Sequence, residues 1–337
     1  METKRLTGQD VAQAADIIAA GGLLGIPTET VYVLWANGLN PTAVAAIFAA
    51  KGRPQDNPLI LHIPSADWLE RYCEDIPDTA YTLADRFWPG PLTLILKRKP
   101  TVPNVVTAGL DTVGMRCPDC DLTRAIIAAA DVPVAAPSGN TSGRPSPTTA
   151  DAMLEDMDGK IHAIVDGGPC RVGVESTILD LTMTPPRLLR PGGVTLEELR
   201  HVLGEVAVDE AVLRLMSTNE KPRAPGMKYR HYAPKAPVTV VNGDPTSTAR
   251  YIAAHLSPGY GIICFDDYVN LFDGYPVETI GPADDLETQA HRLFEALRAF
   301  DHREVVGIWA QSPTDTGLGL AVTNRLNKAA GFHIIQV

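Results

Sequence analysis

Short apolar segments alternate with helical segments along nearly the whole chain, and this alternation restricts the fold more than any other feature. Apolar runs of four or five residues predict strands at 23–26, 59–63, 92–96, 132–136, 161–165 and 177–181. Strands interleaved with helices indicate an α/β architecture. Because proline and glycine interrupt the pattern so often, we expect a mixed and irregular sheet in this part of the chain.

Two helices in the same part carry clear end signals. Asn40 is a good N-cap, Pro41 fits the first helical turn, and Gly52 ends the helix that they open. A later helix begins at the capping box that Thr195 and Glu198 form. These local patterns fix where the two helices lie in the sequence.

A second pattern of strands and helices begins after residue 237. Strands are predicted at 238–241, 261–265, 305–309 and 334–335, and helices at 286–300 and 319–330. This arrangement predicts a small Rossmann-like domain. Gly317 and Gly319 lack the third glycine of a dinucleotide fingerprint, so we interpret them as packing at a helix start. The chain therefore divides into domains at 1–208 and 237–337, joined by a linker at 209–236.

The linker differs in composition from both domains. Residues 221–235 contain three prolines and no acidic residue. Five positive charges lie here in a chain of net charge −11: Lys221, Arg223, Lys228, Arg230 and Lys235. A flexible proline-rich linker is one interpretation. Large side chains argue against it, because disordered linkers seldom carry them so close together: Met227, Tyr229, His231 and Tyr232. We favour an ordered segment that contacts an anion.

The overall charge and the cysteine content exclude some function classes. A net charge of −11 argues against strong direct binding to nucleic acid or to an anionic membrane. No apolar stretch reaches spanning length and no secretory leader pattern is present, so no membrane contact is expected. The five scattered cysteines are typical of reduced thiols, which predicts a cytoplasmic protein. Cys117 and Cys120 form a lone CxxC pair, so we expect no metal held by protein side chains.

Four small groups of polar residues could carry chemistry. Thr28 and Thr30 follow a strand, where their hydroxyls could bind a small polar ligand or cap a helix; taken alone, the cap is favoured. Lys51 and Arg53 flank a helix end and suit phosphate groups. Complementing the helix C-terminus is an equally good explanation for these two cations.

The other two groups lie further along the chain. Residues 137–143 combine glycines with small polar side chains after a strand, and this pattern favours a phosphate contact over a plain turn. Arg190 precedes Pro-Gly-Gly, where a surface turn is favoured over a nucleotide contact. His62 lies within a strand and is either a core histidine, the usual case, or a ligand contact.

Together these segments are far more specific than any one of them. Seven motifs occur in order: PTETVY, KGRPQDNPLI, GMRCP, PSGNTSGRPSPT, ESTILD, RPGG and KYRHYAP. The series resembles the threonylcarbamoyl-AMP synthase (YrdC-like) family in its longer two-domain form, from about residue 8 to the C-terminus. Residues 316–330 resemble the closing motif of the family's second domain. The resemblance implies a YrdC-like twisted mixed sheet with helices at 1–208, a smaller Rossmann-like α/β domain at 237–337, and a linker that folds over the active site.

The resemblance also implies roles for individual residues. Four residues hold the ATP phosphates and form the expected catalytic set: Lys51, Arg53, Ser138 and Asn140. Further nucleotide contacts fall on Asn57, Thr112, Ser146, Arg190 and Tyr229. Threonine contacts fall on Thr30, Tyr32, His62, Arg116 and Ser176. Arg116 is expected to clamp the threonine carboxylate through two parallel hydrogen bonds.

The implied reaction needs no protein nucleophile. The amine of L-threonine takes up CO2 from bicarbonate, and the resulting carboxylate attacks the α-phosphate of ATP while pyrophosphate leaves. Lys51 and Arg53, with Mg²⁺ bound to ATP, would neutralise charge at the phosphates. A separate tRNA threonylcarbamoyl-transferase complex would then use the product, threonylcarbamoyl-AMP, to modify tRNA.

The sequence departs from the family at one place. Val33 and Trp35 stand where the family commonly has glycines. These side chains either pack beneath the sheet or change the shape of the pocket. The departure keeps one further hypothesis open, a paralogue that adenylates another N-carboxylated amino acid or a carbamoyl group. The basic linker keeps open another, a nucleotide- or RNA-binding module without turnover. The acidic total counts against the second of these.

Overall fold

The computed structural model describes residues 2–214, 216, 222–227 and 231–337. In this part of the chain the fold consists of two α/β units, each built on its own sheet. The linker residues Lys221, Lys228, Tyr229 and Arg230 lie outside the described residues. None of the described helices combines the length and the apolar character that crossing a membrane requires.

The first unit is built on a sheet in which eleven strands are described. They are β1 (Lys4–Thr7), β2 (Leu24–Ile26), β3 (Val33–Asn37), β4 (Ile60–His62), β5 (Leu92–Lys97), β6 (Thr112–Arg116), β7 (Val134–Ala135), β8 (Ala163–Asp166), β9 (Thr177–Asp180), β10 (Arg187–Arg190) and β11 (Ala207–Val208). Their order in the sheet is β1-β8-β2-β3-β7-β4-β6-β5-β9-β10-β11. The sheet contains both parallel pairs, such as β4 with β6, and antiparallel pairs, such as β5 with β6, which confirms the predicted mixed sheet.

Helices pack against both faces of this sheet. They are α1 (Val11–Ala19), α2 (Pro41–Lys51), α3 (Leu69–Tyr72), α4 (Asp78–Phe87), α5 (Asn104–Thr107), α6 (Asp121–Ala130), α7 (Ala150–Met157) and α8 (Leu196–Leu203). The side chain of Asn40 accepts hydrogen bonds from the backbone N–H groups of Thr42 and Ala43, so α2 begins as predicted. Gly52 ends it in the left-handed region, at φ 60°. Lys51 is the last residue of α2, so the end of this helix sets its position.

The second unit is a smaller parallel sheet. Its strands are β12 (Val238–Asn242), β13 (Tyr260–Cys264), β14 (Val277–Thr279), β15 (Gly307–Gln311) and β16 (Ile334–Gln336), in the order β14-β13-β15-β12-β16. Every neighbouring pair is parallel. The helices are α9 (Pro245–His255), α10 (Leu286–Ala299) and α11 (Gly319–Ala329). A parallel sheet connected by helices confirms the Rossmann-like prediction.

The sequence patterns missed or misplaced some strands near the site. Strand β3 was not predicted because it follows the PTETVY loop with no turn residue between them. Strand β6 escaped because Gly114 interrupts it and polar residues begin and end it. Strand β7 covers only Val134–Ala135 of the predicted 132–136 segment. Strands β1, β10 and β11 were not predicted either. Of the missed strands, β3, β6 and β10 carry residues that line the cavity, so the sheet contributes more to the site than the sequence indicated.

The two units pack tightly against each other. One apolar cluster runs from β2 and β3 of the first unit to β12, β15, α10 and α11 of the second. Gly173 lies at the contact with φ +85°, and a Cβ atom built there would be 2.4 Å from the Cα of His291 in α10. Arg298 of α10 reaches Asp156 of the first unit, with 2.9 Å between nitrogen and oxygen. Backbone, apolar and ionic contacts thus join the units directly, besides the linker.

Candidate active site

A cavity lies between the first sheet and the linker, and residues of both line it. Its polar and charged lining residues come from distant parts of the chain: Lys51, Arg53, His62, Arg116, Ser138, Asn140, Ser142, Glu175, Ser176, Arg190, His231 and Tyr232. The fold therefore brings most of the predicted site residues to one place. Pro225 and Gly226 of the linker cover the cavity.

Lys51 ties helix α2 to the loop that follows β7. Its Nζ donates hydrogen bonds to the backbone carbonyls of Ser138 and Asn140. An ammonium group has three donors, so one remains for a ligand in the cavity. Burial lowers the pKa of Lys51 well below its usual value, and the nearby charge of Arg53 lowers it further. An anion bound in the cavity would reverse that shift, because it favours the charged amine.

Arg53 and Arg190 are two further cations of the lining, the first partly buried and the second buried. Loss of contact with water lowers the pKa of each guanidinium to about 10. Arg190 donates from Nε to the carbonyl of Ser176 at 3.0 Å and from Nη2 to the Ser176 hydroxyl at 3.1 Å. Arg53 makes one longer bond, 3.3 Å from Nη2 to the carbonyl of Pro58, and its buried Nε has no partner in the described residues. Arg53 is therefore the less satisfied of the two and the better prepared for an anionic ligand.

Arg116 is held by three hydrogen bonds within the chain. Its Nη2 donates to Glu29 at 2.7 Å and to the hydroxyl of Thr30 at 3.0 Å, and its Nε donates to the carbonyl of Gly90 at 3.3 Å. Only Nη1 is left without a partner in the described part of the chain. The bidentate clamp on the threonine carboxylate stays a prediction. Glu29 and Thr30 occupy Nη2 of the guanidinium, which leaves Nη1 as the nitrogen without a partner among the described residues.

His62 lies beside Trp35 at the base of the cavity. Burial, and then the charge of Arg116, lowers the pKa of His62 well below its usual value, so the imidazole is neutral at pH 7. Its Nδ1 and the Nε1 of Trp35 are buried without hydrogen-bond partners among the described residues. Trp35 is fully buried and does not line the cavity, whereas Val33 does. Of the two residues that depart from the family motif, only Val33 therefore touches the cavity.

The loop after β7 supplies the other predicted phosphate contacts. Asn140 donates from its side-chain amide to the carbonyls of Thr141 and Arg144, at 2.8 and 2.9 Å. Its Oδ1 is buried and has no partner in the described residues. The hydroxyl of Ser176 lies 2.8 Å from that of Thr93. These bonds fix the side chains before any ligand arrives.

Several predicted site residues do not line the cavity. They are Thr30, Tyr32, Asn57, Thr112 and Ser146. Thr30 contacts Arg116, and Ser146 donates to Glu175 at 2.5 Å, so each lies one layer behind a lining residue. Tyr32 instead donates its hydroxyl to the carbonyl of Gly168 at 2.8 Å, away from the cavity. Tyr229 lies outside the described residues, so its predicted nucleotide contact stays a prediction.

Sequence reasoning assigned no site role to five polar residues of the site. Four of them line the cavity and Glu29 holds Arg116; the four are Ser142, Glu175, His231 and Tyr232. All five belong to segments that the motif series had already marked. The two glutamates could have been identified from the sequence, because each is a carboxylate within an apolar or hydroxyl-rich motif. Charged residues are rarely buried without a partner.

The lining offers little to hold a metal ion directly. Glu175 is the one carboxylate among the described lining residues. It already accepts hydrogen bonds from Ser146 at 2.5 Å and from Arg325 at 2.8 Å. No cluster of three or more His, Cys, Asp or Glu side chains suited to a metal occurs in the described part of the chain. Mg²⁺ prefers carboxylate, phosphate and water oxygens. These residues therefore do not fit a magnesium ion held by protein side chains alone.

Comparisons with known proteins give matches that extend over both units. A family model described as Telomere recombination matches residues 16–192, and one described as Threonylcarbamoyl-AMP synthase, C-terminal domain, matches residues 194–331. A threonylcarbamoyl-AMP synthase of Pyrococcus abyssi is 48% identical over 340 residues, which cover 99% of this chain and 98% of the relative. One of Bacillus subtilis is 46% identical, with 97% of this chain and 94% of the relative covered.

Solved structures give the same result for the fold. The crystal structure of P. abyssi Sua5 complexed with L-threonine superposes with a TM-score of 0.91 at 44% identity, and all of both chains is covered. The structure of a double alanine variant of P. abyssi Sua5 gives a TM-score of 0.94 at 45% identity, covering 99% of this chain and 98% of that one. The likeness includes both units and is not confined to the first sheet.

Proposed function

The chain belongs to the threonylcarbamoyl-AMP synthase family, and we propose that it converts L-threonine, bicarbonate and ATP into threonylcarbamoyl-AMP and pyrophosphate. The observation that carries the proposal is the charge of the cavity. Its lining holds four cations, namely Lys51, Arg53, Arg116 and Arg190, and one carboxylate among the described residues, Glu175. Arg116 is already paired with Glu29, whereas the buried Lys51 and Arg190 form no ion pair within the described residues. Buried cations are costly unless paired, and the phosphates of ATP supply the missing negative charge.

The nucleotide would occupy the part of the cavity near α2 and the loop after β7. Lys51, Arg53 and Arg190 would contact the phosphates as donors of opposite charge. Ser138 and Asn140 would add neutral hydrogen bonds that set the orientation. We propose that Mg²⁺ arrives bound to the phosphates, since the lining does not provide carboxylates for it.

L-Threonine would occupy the part of the cavity near β4 and β6. The free Nη1 of Arg116 would bind the carboxylate of the amino acid. The neutral imidazole of His62 and the hydroxyl of Ser176 can each donate or accept a hydrogen bond, which suits an amine and a hydroxyl. This placement puts an amino acid beside a nucleotide, as the reaction requires.

The chemistry then needs positioning more than a reactive side chain. The amine of threonine combines with CO2 from bicarbonate, and the N-carboxylate oxygen attacks the α-phosphorus as the bond to pyrophosphate breaks. The cations of the lining stabilise negative charge on the phosphate oxygens, and they do so more strongly because water is excluded. Linker residues such as Tyr232, which cover the cavity, would protect the mixed anhydride from hydrolysis.

The product's use lies outside this chain. A mixed carbamic–phosphoric anhydride is an activated acyl donor, so we propose that a separate tRNA threonylcarbamoyl-transferase complex consumes it. The five cysteines of the chain are all free, which supports a reducing compartment, and we propose the cytoplasm.

Pyrophosphate release measured with a panel of amino acids tests the proposal. We expect release that depends on both L-threonine and bicarbonate, and little with L-serine or larger amino acids. Release with a different amino acid, or with a carbamoyl donor, would favour the paralogue that activates another acceptor. Nucleotide binding without any release would favour a binding module. Mass spectrometry of the reaction identifies threonylcarbamoyl-AMP directly.

A further inference from the structure

Arg325 of helix α11 reaches from the second unit into the wall of the cavity. Its side chain is fully buried. The Nε atom donates to the Glu175 carboxylate at 2.8 Å, and Nη2 donates to the Glu175 backbone carbonyl at 3.3 Å. Nη1 donates to the carbonyl of Pro191 at 2.8 Å. Glu175 lines the cavity, so a residue 150 positions away in sequence completes the wall.

The charge of Glu175 depends on this contact. Burial by itself would raise the pKa of Glu175, but the charges of Arg325 and Arg190 outweigh burial and lower it below its usual value. The carboxylate is therefore ionised at neutral pH. Arg190 is the other cation whose charge lowers the pKa of Glu175, and Glu175 in turn raises the pKa of Arg190. Without Arg325, Glu175 would depend more on Arg190. Glu175 would then compete with a phosphate group for Arg190.

The same helix also holds the linker. Asn324 donates to the carbonyl of Val212 at 2.9 Å, and Lys328 donates to the carbonyl of Gly226. The guanidinium carbon of Arg325 lies 5.6 Å from the centre of the Tyr232 ring. Arg325 therefore stands between the cavity carboxylate and the part of the linker that covers the cavity.

From these contacts we infer that Arg325 is a positioning residue of the active site. It binds Glu175 and so keeps Arg190 available for the phosphates of the nucleotide. The second unit is thus part of the catalytic apparatus, although it supplies no residue that touches substrate through this contact. The inference rests on the proposed function, since it assigns Arg190 to the nucleotide.

A rescue experiment tests the inference. Arg325→Met should lower kcat/KM for ATP at least about tenfold, because it leaves Glu175 as an unpaired buried charge beside Arg190. Glu175→Gln keeps the shape of the side chain and removes that charge. The double variant should therefore be more active than Arg325→Met alone. Affinity for ATP, measured by calorimetry, should follow the same order.

Arg298→Met is the matched control. Arg298 is another buried arginine of the second unit that bonds to the first, through Asp156 at 2.9 Å and the carbonyl of Pro145 at 2.9 Å, and no hydrogen bond joins it to Glu175 in the described residues. Glu175→Gln should not rescue this variant. Equal rescue of both arginine variants, or purely additive effects, would show that Arg325 only joins the two units and would overturn the inference.

Two further measurements keep the test decisive. If Arg325→Met does not fold, Arg325→Lys takes its place in the test. Arg325→Lys keeps the positive charge, so we expect it to fold and to retain more activity than the double variant. Pyrophosphate release by the wild-type chain separates the two proposals. An inactive wild type contradicts the proposed function, whereas an active wild type with an equally active Arg325→Met contradicts only the role of Arg325.

Discussion

The indole of Trp35 stands edge-on to the imidazole of His62, with ring centroids 6.1 Å apart and ring planes at 86°. An edge-to-face contact of this kind fixes the orientation of both rings. Trp35 therefore supports a lining residue from behind while remaining outside the cavity. Because β3 includes both Val33 and Trp35 in ordinary strand conformation, the loss of glycine at these positions leaves the backbone unstrained.

Trp35→Phe should keep the amino-acid preference of the wild type, because an aromatic ring still supports His62 and the lost indole N–H has no partner among the described residues. Trp35→Ala should lower the free energy of unfolding by about 3–5 kcal/mol and weaken threonine binding. Urea denaturation and calorimetric titration with L-threonine, L-serine and a larger amino acid measure both effects. A change of preferred amino acid in Trp35→Phe would show that the indole itself selects the substrate.

Lys51→Ala and Arg53→Ala should each reduce transition-state stabilisation by about 2–4 kcal/mol, measured as kcat/KM for ATP. They should differ in stability. Lys51→Ala leaves two carbonyls without their donor, at about 1–3 kcal/mol for each group, whereas Arg53→Ala removes one long bond. Near-normal turnover in both variants would contradict their assignment to the phosphates.

Glu29→Gln should weaken threonine binding about tenfold while leaving ATP binding unchanged, since a neutral amide holds the Arg116 guanidinium less firmly. Glu29 and Arg116 form a buried pair at 2.7 Å. The control is Glu74→Gln, at an exposed pair with Lys97, which should change neither affinity. An equal loss of affinity for ATP and threonine would indicate general damage to the first unit.

Linker residues around Tyr232 should become more resistant to trypsin when ATP and threonine are both bound. Trypsin cleaves after the basic residues that flank them, and a closed linker over a filled cavity denies it access. The measurement is the rate of cleavage with no ligand, with each ligand alone and with both. Identical rates in all four conditions would contradict closure of the linker over the substrates.

The lowered pKa of the buried Lys328 should make the stability of the fold depend on pH. Burial, and then the charges of Arg325 and Arg190, lowers its pKa to about 7, while the unfolded chain titrates near the usual value of 10.5. Between these values the unfolded state binds one more proton, so the free energy of unfolding rises with pH by at most about 1.4 kcal/mol per unit. Urea denaturation at pH 7.5 and 9.5 measures the increase in the free energy of unfolding between the two pH values. The increase should be smaller in Lys328→Met than in wild type and unchanged in the surface control Lys4→Met.

Local patterns predicted what local chemistry decides. The cap at Asn40 and the capping box at Thr195 placed two helices correctly, because each depends on neighbours a few residues away. Strand β6 depends on pairing with β4 and β5, and no pattern within its own five residues indicated a strand. Sheet pairing over long separations is the part of a fold that a single sequence shows least.

The site followed the same division. The motif series assigned Lys51, Arg116 and Arg190 to one site, and all three line the cavity. It did not distinguish the residues that face the cavity from those one layer behind, such as Ser146. The Glu175–Arg325 contact joins two units and could not be inferred from either segment, because no spacing rule connects residues so far apart in sequence.

The close approach at Gly173 also limits how the cavity can open. Helix α10 lies so near that even a methyl group would collide with its backbone. A hinge motion that separates the two units would therefore break this contact, the shared apolar cluster and the hydrogen bonds of Arg298. We therefore expect access to come from movement of the linker segment that lines the cavity, around Pro225 and Tyr232. On this view, movement of that segment sets the rate of product release, and substitutions at the seam near Gly173 change stability rather than gating.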